Sequence, residues 1–193
     1  MIEGELKIIK ESRQGNSASF GKLYDEYHVP IYRFIYLKVS QKEEAEDLTH
    51  QVFLSAWQSI HRYKITNLPF SSWLYRIARN KVIDYYRTTK DNLSLETLSQ
   101  HFSHSDSPAH LTPTLTSNSI ETDVSNSLII DNIKSALANL NPEQQDVLVM
   151  RFVEDMPIKE VAKVINKSEG AIKLIQHRAV NKLKTILIAK NYV

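Results

Sequence analysis

The sequence contains no cysteine among its 193 residues, and it has only four glycines and six prolines. Without cysteine the chain can form neither disulfides nor thiolate metal sites, which is typical of proteins from the reducing cytoplasm. So few glycines and prolines argue against a fold of short strands and tight turns. No apolar run approaches the ~20 residues that a membrane-spanning helix needs. The charged N-terminal segment MIEGELKIIKESRQ is unlike a secretory signal peptide. We therefore expect a cytoplasmic, all-α protein without membrane insertion.

Composition divides the chain into three parts. The forty positions from 88 to 127 hold sixteen Ser or Thr, five acidic residues and one basic residue. Pro108 and Pro113 would interrupt a helix there, so this part has the character of a linker. Apolar residues recur at helical spacing on both sides of it. We predict two helical domains, residues 1–90 and 128–193, joined by a flexible, acidic, Ser/Thr-rich linker over residues 91–127.

Residues 156–184 carry the pattern of a helix-turn-helix. Pro157 suits the first position of one helix, and Ser168 suits the N-cap of the next. From Lys159 to Lys190 there are eight Lys or Arg against two Glu, so the exposed face is basic, as phosphate contact requires. A helix-turn-helix places its second helix in the major groove of DNA. The alternative interpretation is a solvated amphipathic helix pair in a bundle.

Residues 43–60 form another helical pattern with two distinct faces. The apolar face consists of Ala45, Leu48, Val52, Ala56 and Ile60. Outside it lie Asp47, His50, Gln51 and Leu54. This combination of polar groups with one apolar neighbour is available to a partner protein.

Residues 70–87 combine aromatic and basic side chains on one predicted helix. The residues able to pack include Phe70, Trp73 and Ile77, and those able to face a nucleic acid are Arg76, Arg79, Asn80, Lys81 and Arg87. Binding of single-stranded DNA needs cations for phosphates and flat rings for unstacked bases, with each stack worth ~1–3 kcal/mol. The alternative is that aromatic residues such as Trp73 belong to the core.

Four segments, taken in order, resemble the bacterial RNA polymerase sigma factors of the extracytoplasmic-function (ECF) type in the sigma-70 family. FGKLYDEYHVPIYRFIYLKVS resembles the opening helix of their sigma-two domain, and AEDLTHQVFLSAW resembles its core-binding helix. PFSSWLYRIARNKVIDYYR resembles the segment that reads and melts the −10 element. Residues 140–184 resemble the sigma-four domain, which reads the −35 element.

The resemblance implies a factor that binds core polymerase, recognises both promoter elements, melts the −10 region and directs transcription initiation. It implies no enzymatic activity, catalytic residue, metal or cofactor in this chain. The implied partners are the clamp and flap of core RNA polymerase, promoter DNA that is double-stranded at −35 and single-stranded at −10, and an anti-sigma factor.

The resemblance also assigns residues to three interfaces. The polymerase contacts would be Asp47, Leu48, His50, Gln51, Val52 and Phe53. The −10 contacts would be Tyr63, Asn67, Phe70, Trp73, Arg76, Arg79, Asn80, Asp84 and Arg87, with the first three as walls of a pocket for a flipped base. The −35 contacts would be Lys167, Ser168, Glu169, Gly170, Lys173, Leu174, His177 and Arg178.

The chain departs from the family pattern in two helices. In the core-binding helix, His50 and Gln51 replace the usual Gln and acid. In the recognition helix, Leu174 and Ile175 stand where polar residues are usual. The identity of the −35 bases therefore stays open, and phosphate contact or DNA shape gains weight as a source of affinity. A further hypothesis places this pair in an anti-sigma interface.

Two other functions compete with this interpretation. A stand-alone helix-turn-helix regulator acting without polymerase would explain the C-terminal half but leaves the other two helices unused. A metal-dependent nuclease would need the near-consecutive acids Glu43, Glu44, Glu46 and Asp47 to converge. Because such spacing spreads side chains around a helix, a solvated acidic turn explains them better.

Overall fold

The computed structural model describes residues 4–39, 41–65, 68–99, 130 and 132–189. Regular structure within these ranges is entirely helical, which confirms the all-α class. The elements are α1 (Glu5–Arg13), α2 (Ser17–Tyr36), α3 (Lys42–Ser59), a 3-10 turn (Ile60–Arg62), α4 (Phe70–Ser99), α5 (Pro142–Leu148), a π-helical segment (Val149–Val153), α6 (Ile158–Ile165) and α7 (Glu169–Ala189). A short helical stretch, 132–137, precedes α5. None of the described helices has the length and apolar character to cross a bilayer.

Polar side chains begin three of these helices by accepting otherwise unpaired backbone N–H groups. The Asn16 side chain accepts from the N–H of Ser19 at 3.0 Å at the start of α2. Asn141 and Gln144 form a reciprocal capping box before α5. The Ser168 hydroxyl accepts from the backbone N–H of Ala171 at 3.2 Å, which confirms it as the N-cap of α7.

Helices α1–α4, which we call the N-terminal domain, pack around one apolar core. Its most deeply buried large side chains are Leu23, Ile31, Phe34, Ile35, Val39, Val52, Phe70, Leu74 and Val82. Helix α1 is attached to α2 by a hydrogen bond that the Tyr27 hydroxyl donates to the Glu5 carboxylate. Burial, together with this bond, raises the pKa of Tyr27, so the hydroxyl keeps the proton that it donates.

Residues 130 and 132–189, which we call the C-terminal domain, contain the predicted helix-turn-helix. Its core includes Val147, Met150, Val161, Ile172 and Ala179. Asn166, with φ of 61°, ends α6 in the left-handed conformation that asparagine tolerates better than most residues. The chain thereby turns from α6 into the N-cap of α7 within two residues.

Helix α4 extends beyond the predicted start of the linker. We expected flexible chain from residue 91, whereas α4 is continuous to Ser99. The hydroxyls of Thr88 and Thr89 donate to backbone carbonyls four residues earlier, both at 2.9 Å, so these polar residues do not interrupt the helix. Residues 91–99 are therefore helical and not flexible chain, and the part of the predicted linker after Ser99 lies outside the described residues.

We predict that Phe70→Ala destabilises the N-terminal domain by about 3–5 kcal/mol, because a fully buried ring would leave a cavity. The Phe70 ring is 1% exposed, and its centroid lies 5.3 Å from the ring centroids of both Tyr63 and Trp73. Urea unfolding followed by circular dichroism measures the change. Leu54→Ala is the control, because Leu54 is 57% exposed and its truncation should change stability by about 0.5 kcal/mol or less. Equal unfolding midpoints for the two variants would contradict this account.

Candidate polymerase and nucleic-acid interfaces

The exposed side of α3 carries only part of the predicted polymerase contact set. Asp47, His50 and Gln51 are exposed there. Leu54 follows on the same side, one helical turn after His50 and Gln51, and it is 57% exposed. A large apolar side chain beside exposed polar groups gives this surface the mixed character of a protein-binding site.

The three apolar members of the predicted set do not reach this surface. Leu48, Val52 and Phe53 are at most 5% exposed. The Phe53 ring packs edge-on against Tyr24 of α2, with centroids 4.7 Å apart. These side chains therefore attach α3 to the bundle, and Leu54 is the apolar side chain that α3 presents on this surface. The heptad position of Leu54 relative to Asp47 is the sequence signal that identifies it.

A pocket opens beside the start of α4. Its volume is about 290 Å³, close to the ~300 Å³ lower limit that is usual for ligand pockets. The lining residues are Ser59, Arg62, Tyr63, Lys64, Leu68, Pro69, Ser72, Trp73 and Arg76. Aromatic rings and three basic side chains thus converge on one concave site, as an unstacked base and its phosphates require.

The three predicted pocket walls have different positions in the structure. Tyr63 lines the pocket, although it is only 8% exposed. Phe70 lies beneath it in the core at 1% exposure, so the structure corrects its role from wall to support. Asn67 lies outside the described residues. Arg62 and Lys64 were missed, because the path of the chain before α4 and not helical periodicity brings them to the pocket; Ser72, in the first turn of α4, was missed as well.

The other predicted −10 residues follow the surface of α4. Trp73 is half-buried against Tyr63 with ring centroids 5.0 Å apart, whereas Arg76, Asn80, Asp84 and Arg87 are exposed. Asp84 and Arg87 form an exposed ion pair at 3.1 Å. Arg79 is different, since its side chain is only 18% exposed and is already engaged by the other domain.

That engagement centres on Asp146, a fully buried carboxylate at the end of α5. One carboxylate oxygen accepts from the Lys38 ammonium, and the other accepts from Arg79 Nε at 2.7 Å. The two cations precede it by 108 and 67 positions, so the carboxylate joins the two domains. Burial lowers the pKa of Lys38, and the attraction of Asp146 acts against that shift.

A second carboxylate of the C-terminal domain, Glu154, contacts the same side of the N-terminal domain. It receives two hydrogen bonds from the Arg33 guanidinium at 2.7 and 2.8 Å and one from the Tyr75 hydroxyl at 2.8 Å. Burial and the charge of Glu154 raise the pKa of Tyr75, which therefore remains a donor. Weaker contacts, Ser72 to Glu160 at 3.3 Å and Arg76 to a backbone carbonyl at 3.4 Å, continue this interface beside the pocket.

All eight predicted −35 residues are exposed around the first turns of α7. They are Lys167, Ser168, Glu169, Gly170, Lys173, Leu174, His177 and Arg178. Lys167 pairs with Glu143 of α5 at 3.2 Å, and its side chain remains 36% exposed. The buried side of α7 is formed by Ile172 and Ala179, so the helix presents a basic face opposite its core contacts.

The fold and these surfaces define a two-domain, all-helical protein with a helix-turn-helix and a basic, aromatic pocket. The family model for sigma-70 region 2 matches residues 23–91, and that for sigma-70 region 4 matches residues 136–185. Together they cover more than half of the chain. The protein belongs to the sigma-70 family, within the ECF group of RNA polymerase sigma factors.

Individual relatives agree with this assignment. The ECF RNA polymerase sigma factor BldN of Streptomyces coelicolor is 34% identical over 94% of this chain, which spans 65% of that protein. The ECF sigma factor SigW of Bacillus subtilis is 27% identical, with 92% of this chain and 94% of SigW aligned. The fold is similar to that of CnrH in complex with the cytosolic domain of CnrY, with a TM-score of 0.70, 22% identity, and coverage of 94% and 96% of the two chains.

We predict that Asp146→Asn loosens the contact between the two domains. The neutral amide would leave the Lys38 ammonium, whose side chain is 2% exposed, without its counter-charge. Breaking a buried pair in this way typically costs about 3–5 kcal/mol. Mass spectrometry after lysine acetylation should find Lys38 protected in the parent protein and modified in the variant, and small-angle scattering should show a larger radius of gyration.

The matched control is Glu143→Gln, which removes a carboxylate from the same helix. Glu143 pairs with Lys167 within the C-terminal domain, so its loss should leave Lys38 protected. If Lys38 were equally protected in both variants, Asp146 would not be the residue that holds the domains together.

Proposed function

We propose that the protein acts in the cytoplasm as a non-enzymatic initiation factor that binds core RNA polymerase, recognises the −35 and −10 elements and opens the −10 duplex. The observation that carries the proposal is the presence in one chain of two different nucleic-acid surfaces. One is the basic face of α7, which suits duplex DNA, and the other is the pocket at α4, which suits an unpaired base. A stand-alone regulator has use only for the first.

For polymerase binding, the proposal uses the exposed residues of α3. Asp47 supplies a negative charge, and His50 and Gln51 supply hydrogen-bonding groups. Leu54 supplies apolar surface that binding removes from water. The partner would be the clamp of the largest subunit, and the C-terminal domain would approach the flap.

For the −10 element, the proposal places a flipped base in the pocket beside α4. Extracting a base from the stack costs a few kcal/mol. Stacking against Trp73 would offset ~1–3 kcal/mol of that cost, and Arg62, Lys64 and Arg76 would neutralise the adjoining phosphates.

Promoter binding would require the two domains to separate. Arg79 cannot serve a DNA phosphate while its Nε is bonded to Asp146, and Glu160 and the carbonyl of Lys163 border the pocket. Asp146 thus occupies the position that a phosphate would take. Separation exposes Arg79 and makes room for the strand.

The proposal includes an anti-sigma partner that binds both domains at once. An apolar groove with a volume of about 660 Å³ runs between them. The N-terminal domain contributes Leu37, Lys38, Val39, Val82, Ile83 and Tyr86, and the C-terminal domain contributes Lys134, Ser135, Ala138, Leu140, Pro142 and Gln145. A partner that fills this groove would stabilise the contact between the domains.

Run-off transcription on fragmented genomic DNA of the source organism tests the function. We expect purified core polymerase to start transcripts at specific sites only when the protein is added. Asp47→Arg should abolish these starts, because it reverses the charge of the α3 surface. Asp25→Arg, an equal change at an exposed position of α2, should retain them. Absence of specific starts, together with DNA binding that needs no polymerase, would favour the stand-alone regulator.

Holoenzyme binding to a single-stranded −10 oligonucleotide tests the pocket. We expect Trp73→Leu to weaken binding by about tenfold, because leucine preserves apolar packing but provides no flat ring for the base. The control is Trp57→Leu, since Trp57 packs against Phe20 at a ring distance of 5.0 Å and does not line the pocket. Equal affinities of the two variants would place the base elsewhere.

A further inference from the structure

The exposed face of α7 has an apolar side chain at its centre. Leu174 is 50% exposed. Its neighbours at helical spacing on this face are Gly170, His177 and Arg178, and Lys173 directly precedes it; all four are exposed. An isolated exposed leucine needs no explanation by itself. An exposed leucine that lies beside two cations, Lys173 and Arg178, on the helix proposed to enter the major groove can contact only a restricted set of partners.

Leu174 has no structural role that would explain it. The core contacts of α7 come from Ile172, which is fully buried, and from the half-buried Ile175, which packs against the same core. Leu174 and Ile175, the two apolar residues that depart from the family pattern, therefore have different positions in the structure. Ile175 belongs to the core, and Leu174 alone faces outward.

The chemistry of the major groove narrows the choice of partner. Base edges there present hydrogen-bond donors and acceptors, and the apolar group among them is the C5-methyl of thymine. Leucine cannot satisfy a donor or acceptor, so it would leave a polar base edge unpaired. Contact between leucine and the thymine methyl removes apolar surface of both groups from water, which is favourable.

The charges around Leu174 favour duplex DNA as the occupant of this face. Lys173 and Arg178 can neutralise phosphates on either side, and His177 offers a ring nitrogen to a base edge. An apolar protein surface seated on Leu174 would instead have to accommodate these two cations.

We propose that Leu174 determines specificity at the −35 element by contacting the C5-methyl of a thymine. This inference rests on the proposed function, because it requires α7 to lie in the major groove. Leu174, which stands where a polar residue is usual in the family pattern, would thus still read a base directly. The proposal predicts that one thymine, on either strand, is recognised through its methyl group.

Replacement of thymine by uracil tests the contact, because it removes the methyl and retains the hydrogen-bonding edge. The probe is a promoter duplex obtained from the run-off experiment, with each −35 thymine of both strands replaced singly. We expect the holoenzyme to bind about fourfold more weakly at one position, the fold-change that corresponds to one buried methyl group. The Leu174→Ala holoenzyme should bind the thymine and uracil duplexes equally.

The matched control is Ile188→Ala, which truncates another exposed apolar side chain near the end of α7, 53% exposed. It lies about 21 Å along the helix from Leu174 and should retain the fourfold preference. The inference is overturned if the parent holoenzyme is indifferent to uracil at every position, or if Leu174→Ala keeps the preference. It is also overturned if Leu174→Ala changes only the affinity for an anti-sigma protein.

The two proposals fail separately. Specific starts without a methyl effect overturn the role of Leu174 and leave the sigma-factor assignment intact. Absence of specific starts from the parent protein contradicts the assignment itself, before any modified duplex is made.

Discussion

One buried carboxylate organises the relation between the two domains. Asp146 is fully removed from water, and a lone charge in such a place is costly unless cations meet it. Both of its cations, Lys38 and Arg79, come from the other domain. Burial of the Asp146 carboxylate is therefore favourable only when the N-terminal domain supplies Lys38 and Arg79. Glu154 repeats the arrangement with Arg33 and Tyr75, which gives the contact a second, independent set of partners.

Under the proposed function, Arg79 of α4 would serve two purposes that exclude each other. Cations that meet carboxylates of the C-terminal domain are the type of group that a nucleic acid requires, and in the proposal Arg79 would meet first Asp146 and then a phosphate. A charged interface of this kind can be exchanged for phosphate contacts at modest net cost, because each cation leaves one anion for another. The apolar groove between the two domains offers no such exchange. The contact between the domains is thus compatible with promoter binding as a later step.

Helical periodicity and end signals predicted a large part of this structure. The fold class, the two-domain order, the caps at Asn141 and Ser168 and the exposed basic face of α7 follow from local patterns in the sequence. The sequence was less informative about α3 and α4, where a resemblance assigns a role to a position without stating which way its side chain points. For that reason Leu48, Val52, Phe53 and Phe70 were predicted as contact residues, whereas the structure shows them to be core residues. The end of α4 was predicted too early, because Ser and Thr side chains can bond back to the preceding turn.

By itself, the sequence determined which segments are helices, which of their faces are apolar, and which family of proteins they resemble, since these properties depend on neighbours within a few turns. Only the tertiary structure decided which side chains remain accessible. The pocket beside α4 depends on the path of its preceding loop. Phe53 is buried because Tyr24 of α2 packs against it, whereas Leu54 remains exposed. The pairing of Asp146 with Lys38 joins positions 108 residues apart, and no local pattern carries information over that distance.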